Sequence, residues 1–295
     1  VALAALVPAA LAGWLVYEVV GDSGGSGGSG PSAQAAGVSG HSAGPSSPDA
    51  KGGRDGTGSP SASAGTAGSG GRSLKGKVVV IDPGHNPGNF KHATEINRQV
   101  NIGTNSKECD TTGTATNAGY PEADFTLDVS RRLRTLLEER GATVKLTQDG
   151  DRPWGPCVTE RAEIGNKAHA DAAISIHADG SAAGNRGFHV ILPGAVHSGS
   201  ADTRAIAGPS RDLGVGIKDG FARATGTAPS NYIGGGTGLD VRKDLGGLNL
   251  STVPKVFIEC GNMRDSKDAA LLTSGAWRQK AAEGISEGIV SFLRG

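Results

Sequence analysis

Two histidines and two glutamates stand where short apolar runs and a helix would carry them to one place. Residues 78–82 run into Pro83-Gly84-His85, residues 172–176 run into His177, and residues 256–258 run into Glu259. Continuous apolar runs of this length read as buried strands. In an open α/β sheet, ligands gather at the carboxyl ends of the strands, so His85, His177 and Glu259 are expected to converge although they lie far apart in sequence. Glu122 opens a long amphipathic pattern and adds a second carboxylate. Two imidazoles and one carboxylate make a three-ligand zinc set that keeps a fourth position for water. The metal lowers the pKa of that water toward about 7, and a carboxylate outside the ligand set can take its proton and pass it to a leaving amine. On this reading His85, Glu122 and His177 hold Zn2+, and Glu259 is the catalytic group.

Each residue taken alone has a simpler account. A histidine at a strand end is often only hydrogen-bonded at the surface. Glu122 suits the amino-terminal dipole of a helix. Asp82-Pro83-Gly84-His85 could be a tight turn, and Glu259 a solvated strand end. Their joint arrangement at neighbouring strand ends is what singles them out. No His-Glu-Xaa-Xaa-His helix is present, which disfavours a thermolysin-like site.

The elements that must position these residues alternate. Strands are expected at 77–82, 142–147, 172–177, 187–192 and 255–259. The clearest helix is 122–140, with Phe125, Leu127, Val129, Leu133, Leu136 and Leu137 on one stripe and Gly141 as its stop. Further helices are expected at 159–169 (capped by Thr159), within 203–225, and at 265–272 and 277–293. Residues 83–121 read as one long loop, and 233–238 as a glycine-rich loop. Strand–helix alternation predicts an α/β fold: an open, twisted, largely parallel sheet with helices on both faces and the zinc site at the strand carboxyl ends.

Composition divides the 295 residues unevenly. Between 21 and 73 the chain is dominated by Gly, Ser, Ala and Pro, too little apolar surface to offset its conformational entropy, and reads as a disordered linker. Residues 74–295, about 220 residues, suffice for one catalytic domain with its own core, expected to be monomeric. Residues 1–20 are nearly all apolar and read as a membrane anchor or a cleaved signal segment, with a buried core helix as a minor alternative. Either leading case puts the domain outside the cytoplasm, in contact with a membrane through that segment only. A formal net charge of +0 gives no indication of nucleic-acid binding. In an oxidising compartment Cys109 and Cys157, both in loop-like sequence, are expected to form a disulfide. It would close a loop of about 50 residues, for roughly 3–4 kcal/mol. Cys260, beside Glu259 in a strand, reads as a small core residue.

Several motifs occur together in order: Val80-Ile81-Asp82-Pro83-Gly84-His85, Glu122 opening a helix, Ala170-Asp171 leading into Ser175-Ile176-His177-Ala178-Asp179, and Phe257-Ile258-Glu259 with Gly261-Asn262. Over about 77–293 the chain resembles the zinc-dependent N-acetylmuramoyl-L-alanine amidases called amidase 3, bacterial cell-wall hydrolases. The resemblance implies one zinc on the residues matching His85, Glu122 and His177 and a catalytic glutamate matching Glu259. It also implies peptidoglycan or muramyl peptides as substrate, cut between the lactyl group of N-acetylmuramic acid and L-alanine. Arg161 and Asn166 match an Arg and an Asn of the family and are expected to be structural. Thr147-Gln148 and Cys260-Gly261-Asn262-Met263 depart from the family's usual residues, beside the four chemical positions rather than at them. Two other classes stay open: an idle wall-binding or regulatory module, which retention of all four residues disfavours, and a zinc peptidase cutting stem peptides, which only its products would distinguish.

Overall fold

A computed structural model describes residues 73–295; the expected apolar segment at 1–20 and the linker up to 72 lie outside the described residues. From the amino end come β1 (Val78–Pro83), a 3-10 turn (Asn89–Lys91), α1 (Ala93–Ile96), β2 (Gln99–Asn101), β3 (Ser106–Glu108) and α2 (Glu122–Glu138). Next are β4 (Thr143–Leu146), α3 (Val158–Lys167), β5 (Ala172–Asp179), β6 (His189–Pro193), the short pair β7 (His197–Ser198) and β8 (Ala201–Asp202), and α4 (Ala207–Thr225). A second 3-10 turn (Gly234–Gly236), β9 (Leu239–Arg242), α5 (Gly246–Asn249), β10 (Lys255–Asn262), α6 (Ser266–Leu272) and α7 (Gly275–Arg294) complete the order.

Six strands form one sheet in the order β4-β1-β5-β10-β6-β9. β4, β1, β5 and β10 are mutually parallel, β6 runs antiparallel to β10, and β9 is parallel to β6. The sheet is therefore mixed and mostly parallel; its parallel part is what alternation of strands and helices predicts.

Strand parity explains where the chemistry lies, because successive side chains point to opposite faces. Val79, Ile81, Ile174, Ile176, Val256, Ile258, Val190 and Leu192 share the large core with apolar residues of α2, α4, α6 and α7. The alternate positions include Val80 and Ala173, which join a small cluster with Ala170 and Val253 beside Ile164 of α3. Asp82, Ser175, His177, Phe257 and Glu259 fall on this second parity, so the thick core holds one face and leaves polar groups to the other. α4 and α7 cross at glycine: a Cβ at Gly288 would lie 2.4 Å from the Ile217 Cα, closer than atoms can approach.

Several boundaries differ from the sequence expectation. Residues 83–121 are not bare loop; they hold the first 3-10 turn, α1 and the β2–β3 hairpin, elements of three or four residues with polar sequence and no readable period. β9 and α5 were likewise not expected, being only four residues each. α3 begins at Val158, with Cys157 rather than Thr159 at its cap position. The Val158 amide donates to the Cys109 carbonyl at 2.7 Å, so the disulfide-linked loop satisfies a helix-end group that a side-chain cap would otherwise serve. Cys109 and Cys157 do form the expected disulfide, 48 residues apart in sequence. Among the described residues no helix is long and apolar enough to cross a membrane.

Candidate metal centre

β1 ends at Pro83, and the Gly84 amide then donates to the Ile176 carbonyl of β5 at 3.0 Å, which seats the following turn beside His177. Gly84 admits no side chain: a Cβ there would lie 2.3 Å from the His177 Cε1. The next residue, His85, is one of two non-glycine residues with positive φ among those described, at 63°. Such backbone costs about 1–3 kcal/mol and persists only where neighbours hold it. Arg161 does so: Nη1 donates to the Pro83 carbonyl at 2.6 Å and Nη2 to the His85 carbonyl at 2.8 Å. Gln148 adds a weaker bond to the His85 carbonyl at 3.2 Å.

Arg161 belongs to a buried ionic network under the turn. Its Nη1 meets Asp82 Oδ1 at 2.8 Å and its Nη2 meets Asp110 Oδ2 at 2.9 Å. Asp82 also accepts from Thr147, from Ser175 and from the buried Lys255 Nζ at 3.1 Å. Burial alone would raise the Asp82 pKa, but Lys255 and Arg161, with the two hydroxyls, hold its carboxyl far below the usual range. Asn166 ties α3 to the segment before β10, donating to the Leu250 carbonyl and accepting from the Thr252 amide, both at 2.8 Å. The structural part expected of Arg161 and Asn166 is visible in these contacts.

Glu122 enters at the first turn of α2, where the dipole favours a carboxylate. Its Oε2 accepts from the Thr114 amide at 2.9 Å and its Oε1 from the Ala178 amide at 3.2 Å. The same Oε1 lies 3.1 Å from His85 Nε2 and 3.0 Å from His177 Nδ1. Atoms of His85, Glu122 and His177 that could bind a metal all lie within 4.8 Å of one another. His177 is stacked on Phe257, with centroids 5.1 Å apart and planes 10° apart.

This donor set fits a bound cation. His85 Nδ1 lies 3.1 Å from the Thr111 carbonyl, which can only accept, so Nδ1 carries the hydrogen. The neutral ring then turns the Nε2 lone pair toward a carboxylate oxygen, a repulsive contact unless a proton or a metal ion lies between them. The same tension shows in the acid–base balance. Burial pulls the His85 pKa down, but Glu122 outweighs it and moves it above its ordinary value. Burial opposes ionisation of Glu122, and the two imidazoles reverse that and hold its carboxyl well below the usual range. Asp110 and Thr111, which orient the imidazole, carried no distinguishing sequence signal; they sit in a polar stretch that looks like any loop.

Glu259 lies opposite His177 in the β10–β5 register. Its Oε2 is buried without a hydrogen-bond partner. Burial, then the charges of Asp179 and Glu122, push this carboxyl well above its ordinary range, and Arg242 only partly opposes them. Cys260, one residue on, points into the large core and is buried, its thiol pushed up by burial and by Glu259 and Glu122. Asn262, at the end of β10, donates to the carbonyls of Ser181, Ala182 and Asn185 and so fixes the loop that follows β5.

Residues 79–291 match the family described as N-acetylmuramoyl-L-alanine amidase. The chain is 41% identical over 223 residues to the Mycobacterium tuberculosis protein named N-acetylmuramoyl-L-alanine amidase Rv3717, covering 75% of this chain and 88% of that one. The crystal structure of the N-acetylmuramyl-L-alanine amidase Ami1 from Mycobacterium smegmatis matches with a TM-score of 0.69 at 41% identity, covering 75% of this chain and 99% of that one. The apo form of Ami1 from Mycobacterium abscessus matches with a TM-score of 0.68 at 41% identity, covering 75% of this chain and all (100%) of that one.

Proposed function

The chain belongs to the N-acetylmuramoyl-L-alanine amidase family, and we propose that His85, Glu122 and His177 hold zinc and Glu259 moves protons in its reaction. The activity is that of the family: hydrolysis of the amide between the lactyl group of N-acetylmuramic acid and L-alanine in peptidoglycan, for cell-wall remodelling or turnover. The observation that carries the assignment of roles is the meeting of two imidazoles and one carboxylate within 4.8 Å, with a second carboxylate in register beside them.

Zinc bound there would polarise the scissile carbonyl and acidify water. The chain's own residues do the rest. Arg161 and Gln148 fix the His85 backbone, Thr111 fixes its ring, and Phe257 packs the His177 ring. Glu259 accepts the proton of the attacking water at Oε1 as the new C–O bond forms at the lactyl carbon. It then gives that proton to the alanine nitrogen, and the C–N bond breaks. One carboxyl serves both steps, accepting the proton as carboxylate and returning it as the acid.

The proposed setting is extracytoplasmic, with residues 74–295 as the catalytic domain, 21–73 as a spacer and 1–20 as anchor or signal. Glu259→Gln is expected to keep one metal per chain and lose turnover, whereas His177→Ala is expected to lose the metal. Metal analysis beside hydrolysis of muramyl peptides checks both. A Glu259→Gln variant with parental turnover, or a His177→Ala variant with full metal, refutes the role concerned.

A further inference from the structure

Among the described residues only Phe90 and Val241 are large apolar side chains standing exposed, and Phe90 is 68% exposed. A single exposed ring needs no reason by itself. This one sits on the 3-10 turn Asn89–Lys91 that follows His85. Lys91 Nζ stands 5.3 Å from the centre of its ring. Just past the turn, His92 meets the half-buried Trp154 ring, with centroids 6.5 Å apart and planes 37° apart. Pro153, beside Trp154, is exposed.

Two buried asparagines fix these segments to each other and to the metal centre. Asn86 Nδ2 donates to the Gly155 carbonyl at 2.9 Å, and Asn89 Oδ1 accepts from the Gly155 amide at 2.8 Å. Both backbone groups of the residue after Trp154 are thus held by the stretch that carries Phe90. A Cβ on Gly88 would lie 2.1 Å from the Pro153 carbonyl oxygen, so the two segments meet backbone to backbone. Asn89 Nδ2 donates to the Thr111 carbonyl at 2.7 Å, the same oxygen that faces His85 Nδ1 at 3.1 Å. The aromatic surface and the histidine of the metal centre therefore share one hydrogen-bonded frame. Rings held in place before a ligand arrives lose little freedom when it binds.

We propose that Phe90 and Trp154 form a sugar-binding surface for the glycan strand of peptidoglycan, contacting sugars that flank the muramic acid whose amide is cut. This rests on the amidase reading above. The scissile amide hangs from a lactyl group on a sugar ring, so the strand has to pass beside the metal centre to which this surface is fixed. A pyranose carries C–H bonds on its faces and hydroxyls around its edge. That pattern suits separate aromatic rings set among polar side chains. A protein partner or a bilayer is met instead by a contiguous apolar patch. Lys91 and Arg152 are balanced by Glu95 and Glu160, so the surface does not select an anionic partner by net charge.

The test uses the zinc-loaded full chain with Phe90→Ala, at an exposed site where folding is expected to be unaffected, and with Phe90→Tyr, which keeps a ring face. Two substrates are compared, insoluble peptidoglycan and a muramyl peptide carrying one sugar. Calorimetry with a peptide-free glycan oligosaccharide reads binding without turnover. Phe90→Ala is expected to lower the rate on limiting peptidoglycan at least about fivefold and to weaken oligosaccharide binding by a similar factor, from the loss of one ring's contact. Hydrolysis of the muramyl peptide should stay within about twofold of the parent, and Phe90→Tyr should stay near the parent throughout. Trp154→Leu should weaken oligosaccharide binding in the same direction, and parental binding there would remove Trp154 from the surface. Equal loss on both substrates, parental oligosaccharide binding in Phe90→Ala, no such binding by the parent, or no recovery with tyrosine each overturn the proposal. A dimer of the parent that dissociates in Phe90→Ala while oligosaccharide binding is unchanged gives the surface to a second copy and overturns it too. Cuts within the stem peptide by the parent overturn the amidase reading instead, while calorimetry still decides the surface, so the two failures are distinguishable.

Discussion

Replacing Arg161 by lysine keeps the charge and removes the fork that grips the His85 turn. In the parent, Nε donates to the Pro156 carbonyl, Nη1 to Asp82 and the Pro83 carbonyl, and Nη2 to the His85 carbonyl and Asp110. A single ammonium offers three N–H groups from one centre, so at least two of these acceptors go without. Asp82 keeps Lys255 at 3.1 Å, and Asp110 keeps the Asn89 amide at 3.0 Å. The loss therefore falls among the carbonyls of Pro156, Pro83 and His85, which three separate nitrogens serve in the parent and one ammonium centre cannot serve together. Two buried acceptors at about 1–3 kcal/mol each put the cost at about 2–6 kcal/mol of folding stability. The His85 carbonyl would be left with Gln148 at 3.2 Å, while its backbone still has to hold φ at 63°. Loss of support for a ligand typically costs about 10–100-fold in metal affinity. Urea unfolding of the metal-free protein reads the first quantity and competition with a chelator of known zinc affinity reads the second. An Arg161→Lys variant within about 1 kcal/mol of the parent, binding zinc as tightly, would refute the claim that this network sets the turn.

Gly84→Ala puts a Cβ 2.3 Å from the His177 Cε1, so the imidazole must leave its place. Loss of stoichiometric zinc is expected with a stability cost of only about 1–3 kcal/mol, and full metal occupancy would contradict it. Glu259→Gln tests the raised carboxyl through stability. Below the ordinary carboxylate pKa the group is protonated in both folded and unfolded chains. As pH rises past that value the unfolded chain ionises first, and the parent loses stability until the folded carboxyl also ionises. The metal-free Glu259→Gln variant should therefore match the parent near about pH 4 and exceed it near about pH 7; an advantage that shrinks as pH rises would contradict this. Asp82→Asn should show the opposite trend, because a depressed carboxyl gives stability that is present above its unfolded pKa and lost as pH falls.

How much of this was legible in the sequence follows from element length and from which contacts are local. β1, β5 and β10 were readable because each is an apolar run ending in a polar residue, and α2 because 17 residues give its stripe room to repeat. The β2–β3 hairpin, β9 and α5 are three or four residues each and cannot show a period. The reversal of β6 and β9 relative to the other strands was equally invisible, since strand direction is set by connections that cross the fold. At the site, the four residues proposed for the chemistry stood out by type and place. Asp110 and Thr111 did not, because they act from a polar loop held by the disulfide. The meaning of Gly84 was unreadable too, because the ring that forbids its side chain is 93 residues away in sequence, a distance that only the β1–β5 pairing closes.

The central claim is hydrolysis of one particular amide by a metal on His85, Glu122 and His177. The most direct measurement is mass spectrometry of muramyl peptides after incubation with the purified chain, with chelator and with zinc restored. The expected result is free peptide beginning with L-alanine, together with sugar carrying an intact lactyl acid, both lost on chelation and regained with zinc. Cuts within the stem peptide, or the same products undiminished by a chelator that strips the protein of metal, would contradict it.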